Sequence, residues 1–226
     1  MIIVNSKPIK RKLYLIVDTE TFGSFQEPVC YDVGMAVIDK YGKVYAQYSF
    51  VVKDTFLGMA EQAATAYYAD KFPQYHEDIR AGRRKCVPFS TVRNVANALL
   101  AKYGICDVVA HNAKFDCTSL NNTARILGYS SFFHRYVEWW DTLQMVADTI
   151  ALQKGYQDFC QKNNYMTKHQ KPRPQMKAEV VYRFITQDTD FVENHTGLED
   201  CLIEKEIFAR CWRYKKKMRH TFFVYK

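Results

Sequence analysis

At 226 residues and 48% hydrophobic, the chain can bury a full core as one domain, and no apolar run approaches the ~18 residues of a membrane span. Charges that follow the few apolar residues of MIIVNSKPIKRK run opposite to a secretory leader. Seven cysteines without a C-x-x-C pair disfavour structural zinc or a disulfide framework, so reduced thiols in a cytoplasmic protein are expected. The formal charge of +8 is concentrated in residues 151–226, where 15 Lys/Arg face 9 Asp/Glu; with aromatic residues at 15%, this suits single-stranded nucleic acid, whose phosphates and bases both need partners.

The first apolar run, LYLIV (13–17), reads as a buried strand that ends on Asp18 and Glu20. Residues i and i+2 of a strand face the same way, so two anions are forced together and something positive must sit between them. CYDVGMAVID (30–39) and KVYAQYSFVV (43–52), linked by KYG, continue it as an antiparallel meander. Residues 58–82 read mostly as helix, with Pro73 breaking or restarting it. STVRNVANALLAKYG (90–104) is a helix with a Ser or Thr cap and a terminating Gly104, and ICDVVAH (105–111) is a short buried strand. A helix from about Ala113 to Leu127 stops at Gly128. RYVEWW (135–140) is the fifth strand, leading through Asp141 into TLQMVADTIA. The polar, basic stretch 153–177, with Pro172 and Pro174, reads as an inserted loop or short helix, and helices near 178–186 and 197–212 complete the chain.

This order predicts a single α/β domain over 1–226: a mixed five-stranded sheet, antiparallel meander plus parallel strands, with helices on both faces. A basic insertion at about 153–177 and a basic C-terminal tail at 213–226 accompany it. Basic clusters at KPIKRK (7–12), RAGRRK (80–85), TKHQKPRP (167–174) and RYKKKMRH (213–220) are either solvated faces or phosphate contacts.

Two further segments carry acids at element ends. In VVAHNAKFD the strand exits at His111, Asn112 can cap the next helix, and Asp116 lies in its first turns. In ENHTGLED, Thr196 and Glu199 form a T-x-x-E capping box that makes Gly197 the first helical residue. His195 then belongs to the entry loop and Asp200 to the first turn, so both can face one site; on a continuous helix they would diverge by about 140°. Four carboxylates and one imidazole, without cysteine, favour Mg²⁺ or Mn²⁺ over zinc. Two such ions about 3.5–4 Å apart can stabilise the attacking and leaving oxygens of a phosphoryl displacement.

DTETFG, HNAKFD and the His-x-x-x-x-Asp of HTGLED, in this order, resemble the three motifs of the DEDDh 3′→5′ exonucleases. That is the family of the polymerase III proofreading (epsilon) subunit, ribonuclease T and oligoribonuclease, within the ribonuclease H-like superfamily; the resemblance spans roughly Leu13 to Trp212. It implies a ribonuclease H-like fold and hydrolysis of nucleotides one at a time from a 3′ end. Asp18, Glu20, Asp116 and Asp200 would be ligands of two divalent cations and His195 the general base. Thr19, Thr21, Phe22, Asn112 and Phe115 would lie along the terminal nucleotide, while Asp141 resembles a family position outside the ligand set and is expected to be structural.

Two departures stand out. Phe22 replaces the family's small hydroxyl residue, adding an aromatic face expected to stack on a base. The 79 positions from Asp116 to His195 exceed a minimal member, and the surplus is assigned to 153–177 as a strand-guiding loop or partner contact. The expected substrate is a single-stranded DNA 3′ end. RNA is the alternative, because sugar choice rests on a 2′-hydroxyl contact that no motif encodes. The rival classes are a non-catalytic nucleic-acid-binding domain and a subunit that proofreads only when bound to a polymerase partner chain.

Overall fold

The computed structural model describes residues 11–214 and 217–224; the cluster 7–12 and the tail 213–226 therefore lie partly outside the described residues. One sheet has the order β4-β3-β2-β1-β5-β6, built from β1 (Leu13–Gly23), β2 (Pro28–Asp39), β3 (Val44–Val52), β4 (Lys85–Val87), β5 (Asp107–Ala110) and β6 (Glu138–Asp141). The first three strands are the antiparallel meander, β5 and β6 join β1 in parallel, and β4 joins the outer edge of β3 in parallel. The sheet thus has six strands rather than five. The additional strand, β4, is three residues long with a polar first position, too short to show any period along the chain.

Alternation sorts the meander between two cores. Leu13, Leu15 and Val17 of β1, with Val33, Met35 and Val37 of β2, pack beneath α4 (Phe89–Tyr103) and α5 (Ala113–Ile126). Tyr14, Ile16, Ala36 and Ile38 pack on the opposite face. There they meet α6 (Thr142–Asp148), α7 (Lys154–Lys162), α8 (Ala178–Thr186) and α9 (Gly197–Tyr214). Covered on both sides, β2 is buried at every position.

A third cluster, with Phe22, Val29, Tyr31, Phe56 and Tyr75, gathers α1 (Lys53–Phe56), α2 (Ala60–Ala63) and α3 (Phe72–Arg80) at the far end of β1. Pro73 restarts the helix: it sits in the first turn of α3, where its missing N–H removes no helical bond. The 153–177 stretch is ordered, with α7 followed by a chain reversal closed by an antiparallel Met166–Pro174 bridge. Much of the basic cluster 80–85 is structural: Arg83 pairs with Asp78, and Arg84 with Asp78 and the buried Asp32. All seven cysteines are free thiols, and no described helix is long and apolar enough to cross a membrane.

Candidate active site

β1 runs through Asp18 and Glu20 to Gly23, with a register shift against β2 between Glu20 and Thr21. Asp18 pairs with Gly34 on β2, and here α9 comes down onto the sheet. A Cβ built on Gly34 would lie 2.0 Å from the carbonyl carbon of Gly197, and one on Gly197 would lie 2.5 Å from the Gly34 nitrogen. Only glycine at both positions allows this backbone-to-backbone approach. Asp32 Oδ2 accepts a bond from Gly197 N at 3.4 Å and from Tyr75 Oη at 2.7 Å, fixing the helix start. Thr196 Oγ1 donates to Glu199 Oε2 at 2.7 Å, and α9 begins at Gly197.

Asp116, in the first turn of α5, approaches from the other face. Its Oδ1 accepts bonds from Thr19 N at 3.0 Å and Thr19 Oγ1 at 2.9 Å. Thr19 is buried and both its donors are engaged by Asp116, so it positions that acid instead of offering a hydroxyl to a nucleotide. Asn112 does not cap α5 with its side chain; it adopts φ 63° and donates its N–H to Asp141 Oδ1 at 3.0 Å. Asp141 also accepts bonds from Leu143 N and Phe223 N, so backbone amides engage both its oxygens.

The acids are buried and act on one another electrostatically. Burial, then repulsion from Asp200 and Asp116, pushes the Asp18 carboxyl far above the usual range. Burial, then Asp32, raises Glu20 to about 8. Asp200 rises to about 9 through burial, Glu193 and Glu20. Asp116 is raised by burial to about 7 although its Thr19 bonds pull the other way. One ligand atom each from Glu20, His195 and Asp200 lies within 4.8 Å of the others. His195 is lowered by burial and by the Lys71 ammonium, which favours neutral imidazole. Its Nδ1 lies 3.7 Å from Glu193 Oε2, and Lys71 Nζ donates to the adjacent Asn194 carbonyl.

Phe22 departs from expectation. It is only 5% exposed, lying past the register shift and packed with Val29, Tyr31 and Phe56, so it presents no face to a base. The free ring belongs to Phe25, 87% exposed and edge-on to Phe115 at 6.3 Å. Thr21 and Phe115 are half-buried and Asn112 is exposed, leaving all three at the surface.

Glu204, which no motif marks, lies one turn beyond Asp200 on α9. Its Oε1 accepts a bond from His111 N at 2.8 Å, and its Oε2 is buried without a hydrogen-bond partner. Burial and the charges of Asp116 and Asp200 raise it strongly. The i, i+4 spacing from Asp200 places both acids on one helix face, the one signal of Glu204 in the sequence.

Sheet order, meander and the helices on both faces define a ribonuclease H-like α/β fold. No protein-family model matches the sequence, and no curated protein does. Solved structures of the same fold include E. coli exonuclease I with a 5cy-dT13 oligonucleotide, at TM-score 0.56 and 16% identity, covering 90% of this chain and 40% of that one. The zinc-ion-bound E. coli exonuclease I–ssDNA complex matches at TM-score 0.52 and 14% identity, covering 90% and 41%. An SSB/exonuclease I structure with the inhibitor CFAM matches at TM-score 0.57 and 15% identity, covering 92% and 43%. At these identities the likeness is one of fold, and the present chain spans about two fifths of the exonuclease I chains.

Proposed function

We propose that this protein is a metal-dependent 3′→5′ exonuclease that removes nucleotides one at a time from single-stranded DNA. The supporting observation is the convergence of Asp18, Glu20, Asp116 and Asp200 beside His195, in a fold shared with oligonucleotide-bound E. coli exonuclease I.

The acids suit divalent cations. Asp200 Oδ1 is buried without a hydrogen-bond partner, and burial together with the neighbouring carboxylates raises Asp18 and Asp200. Asp18, Glu20, Asp116 and Asp200 would hold two Mg²⁺ or Mn²⁺ ions, which when bound offset these charges and stabilise the attacking and leaving oxygens of the displacement.

His195, neutral near pH 7, takes a proton from the attacking water as the water oxygen bonds to phosphorus. The bond from phosphorus to the 3′ oxygen of the preceding nucleotide breaks, and that oxygen leaves as a hydroxyl after protonation from solvent. Thr21, Asn112 and Phe115, joined by Phe25 in place of Phe22, line the terminal nucleotide.

The test is digestion of 5′-labelled DNA and RNA oligomers with Mg²⁺ or Mn²⁺, beside Asp18→Ala. Stepwise shortening of the DNA from its 3′ end, lost in the variant and in EDTA, is expected. Internal cuts, 5′ release of label or a folded but inert protein would refute the reading, and faster digestion of RNA would replace DNA with RNA as substrate.

A further inference from the structure

Residues 162–177 hold Lys162, Lys168, Lys171, Arg173 and Lys177 and no Asp or Glu. Their middle part is a built hairpin. Thr167 N donates to Arg173 O at 2.8 Å, Arg173 N to Thr167 Oγ1 at 3.0 Å, and Gln175 N to Tyr165 O at 2.8 Å. Tyr156 Oη, from α7, holds its returning arm at Gln175 O at 2.6 Å, and Arg183 of α8 donates to Tyr165 Oη at 2.7 Å. Lys168, His169, Gln170, Lys171 and Arg173 are all exposed.

Unlike Arg83 and Arg84, the hairpin cations have no carboxylate at ion-pair distance among the described residues. Apart from the His169 imidazole, the tip is lysine, glutamine, proline and arginine, so charge for phosphate outweighs ring surface for a base. The hairpin base is fastened to the candidate site: His111 Nε2–H donates to Met176 O at 2.8 Å, within the segment that carries Asp116. The next residue, Lys177, lies close enough to His195 to add to the lowering by burial and Lys71, and it opposes the rise to about 7 that burial and Glu179 give Glu193. Positive charge therefore extends from the mouth beside His195 out to the hairpin tip.

We propose that the 165–175 hairpin is an arm that binds the sugar–phosphate backbone of the single strand on the 5′ side of the nucleotide being removed, through Lys168, Lys171 and Arg173. This rests on the exonuclease reading for the polarity of the strand. Strands long enough to reach the arm are held by it; a trinucleotide confined to the cleavage site is not.

The experiment compares the full chain with the triple variant Lys168→Gln, Lys171→Gln, Arg173→Gln, which leaves the hairpin-closing Thr167 and Gln175 intact. Binding of a DNA 20-mer in Ca²⁺ is measured against salt, and turnover is measured on the 20-mer and on a trinucleotide. Each lost phosphate contact lowers the log–log salt slope by about 0.7, so a drop of about 2 is expected. With it should come a KM for the 20-mer raised about tenfold or more, unchanged trinucleotide kinetics and an unchanged Tm. An unchanged slope overturns the arm and leaves a solvated surface or a protein contact. Equal losses on both substrates overturn it too, since the segment would then act at the cleavage site. If wild-type protein cleaves neither substrate, the exonuclease reading fails, whereas the salt slope still reports whether the hairpin holds the strand.

Discussion

The ring of Tyr68 is stacked on the imidazole of His195, with centroids 4.3 Å apart and planes 15° from parallel. Lys71 lies over the same tyrosine ring at 4.9 Å and donates to the carbonyl of Asn194. The segment between α2 and α3 thus fastens the loop that presents His195, whose φ of 50° is in the left-handed region. That conformation costs roughly 1–2 kcal/mol for a residue other than glycine, and a stacked ring pair contributes about 0.5–1.5 kcal/mol, enough to offset most of it.

Tyr68→Ala should therefore lower kcat about tenfold with KM for a short oligomer nearly unchanged, because a positioned base contributes on the order of 10²–10⁴ and only its positioning is loosened. Tyr68→Phe keeps the stack and should restore wild-type turnover. Steady-state kinetics on both variants decide it: equal losses in the two, or a rise confined to KM, would assign the tyrosine another role.

The two phenylalanines after Glu20 should separate cleanly. Phe22→Ala removes a buried ring and should destabilise the fold by about 3–5 kcal/mol. Phe25→Ala should leave the melting curve in place and weaken single-strand binding by about 1–3 kcal/mol, the range of one base stacked on an aromatic ring. Denaturant unfolding and a binding titration on each variant provide the check, and unaltered binding by Phe25→Ala would remove that ring from the substrate path.

What could be read along the chain was whatever local periodicity or local chemistry encodes. Asp18 and Glu20 announce themselves because charges interrupt an apolar run, although the strand continues past them to Gly23, and Gly197 opens α9 because Thr196 and Glu199 mark a helix start. The burial of Phe22 has no local signature, because it follows from the register shift between Glu20 and Thr21 that nothing in the neighbouring residues encodes. Tyr68 and Lys71 reach the site only through the packing of α1–α3 at the end of the sheet, a relation between distant segments. Gly34 is of the same kind, since its need for hydrogen in place of a side chain is set by a helix more than 160 positions away.

Gly34→Ala tests that close approach. The new methyl would meet backbone at 2.0 Å, which no rotamer change relieves, so α9 must lift and carry Asp200 and the His195 loop with it. A loss of about 3 kcal/mol or more in unfolding free energy is expected, with hydrolysis reduced even in the fraction that stays folded. Near-normal stability would mean that the helix start has slack the geometry does not suggest.

Removal of divalent cations should expose the strain among the acids as a pH dependence of stability. Glu20, Asp116 and Asp200 stand at about 8, 7 and 9 when folded, and Asp18 is also raised, against roughly 4 in an unfolded chain. Between those limits the folded state binds more protons than the unfolded one, so stability falls as pH rises. His195 and His111, both lowered by burial, act in the opposite sense only up to about pH 6.5. Asp39 and Asp78 are held below the usual range: burial works against Asp39 but the amides of Tyr41 and Lys43 outweigh it, and Arg83 holds Asp78. Their contribution is lost only as pH drops below about 4, outside the window. Melting temperature in EDTA should accordingly decline from pH 7 to 9, and Mg²⁺ should restore it more at pH 9 than at pH 7. Asp18→Asn, which removes one of the charges, should flatten the decline. A melting temperature in EDTA that holds level or climbs over this range would show that the four carboxylates do not confront one another as their burial implies.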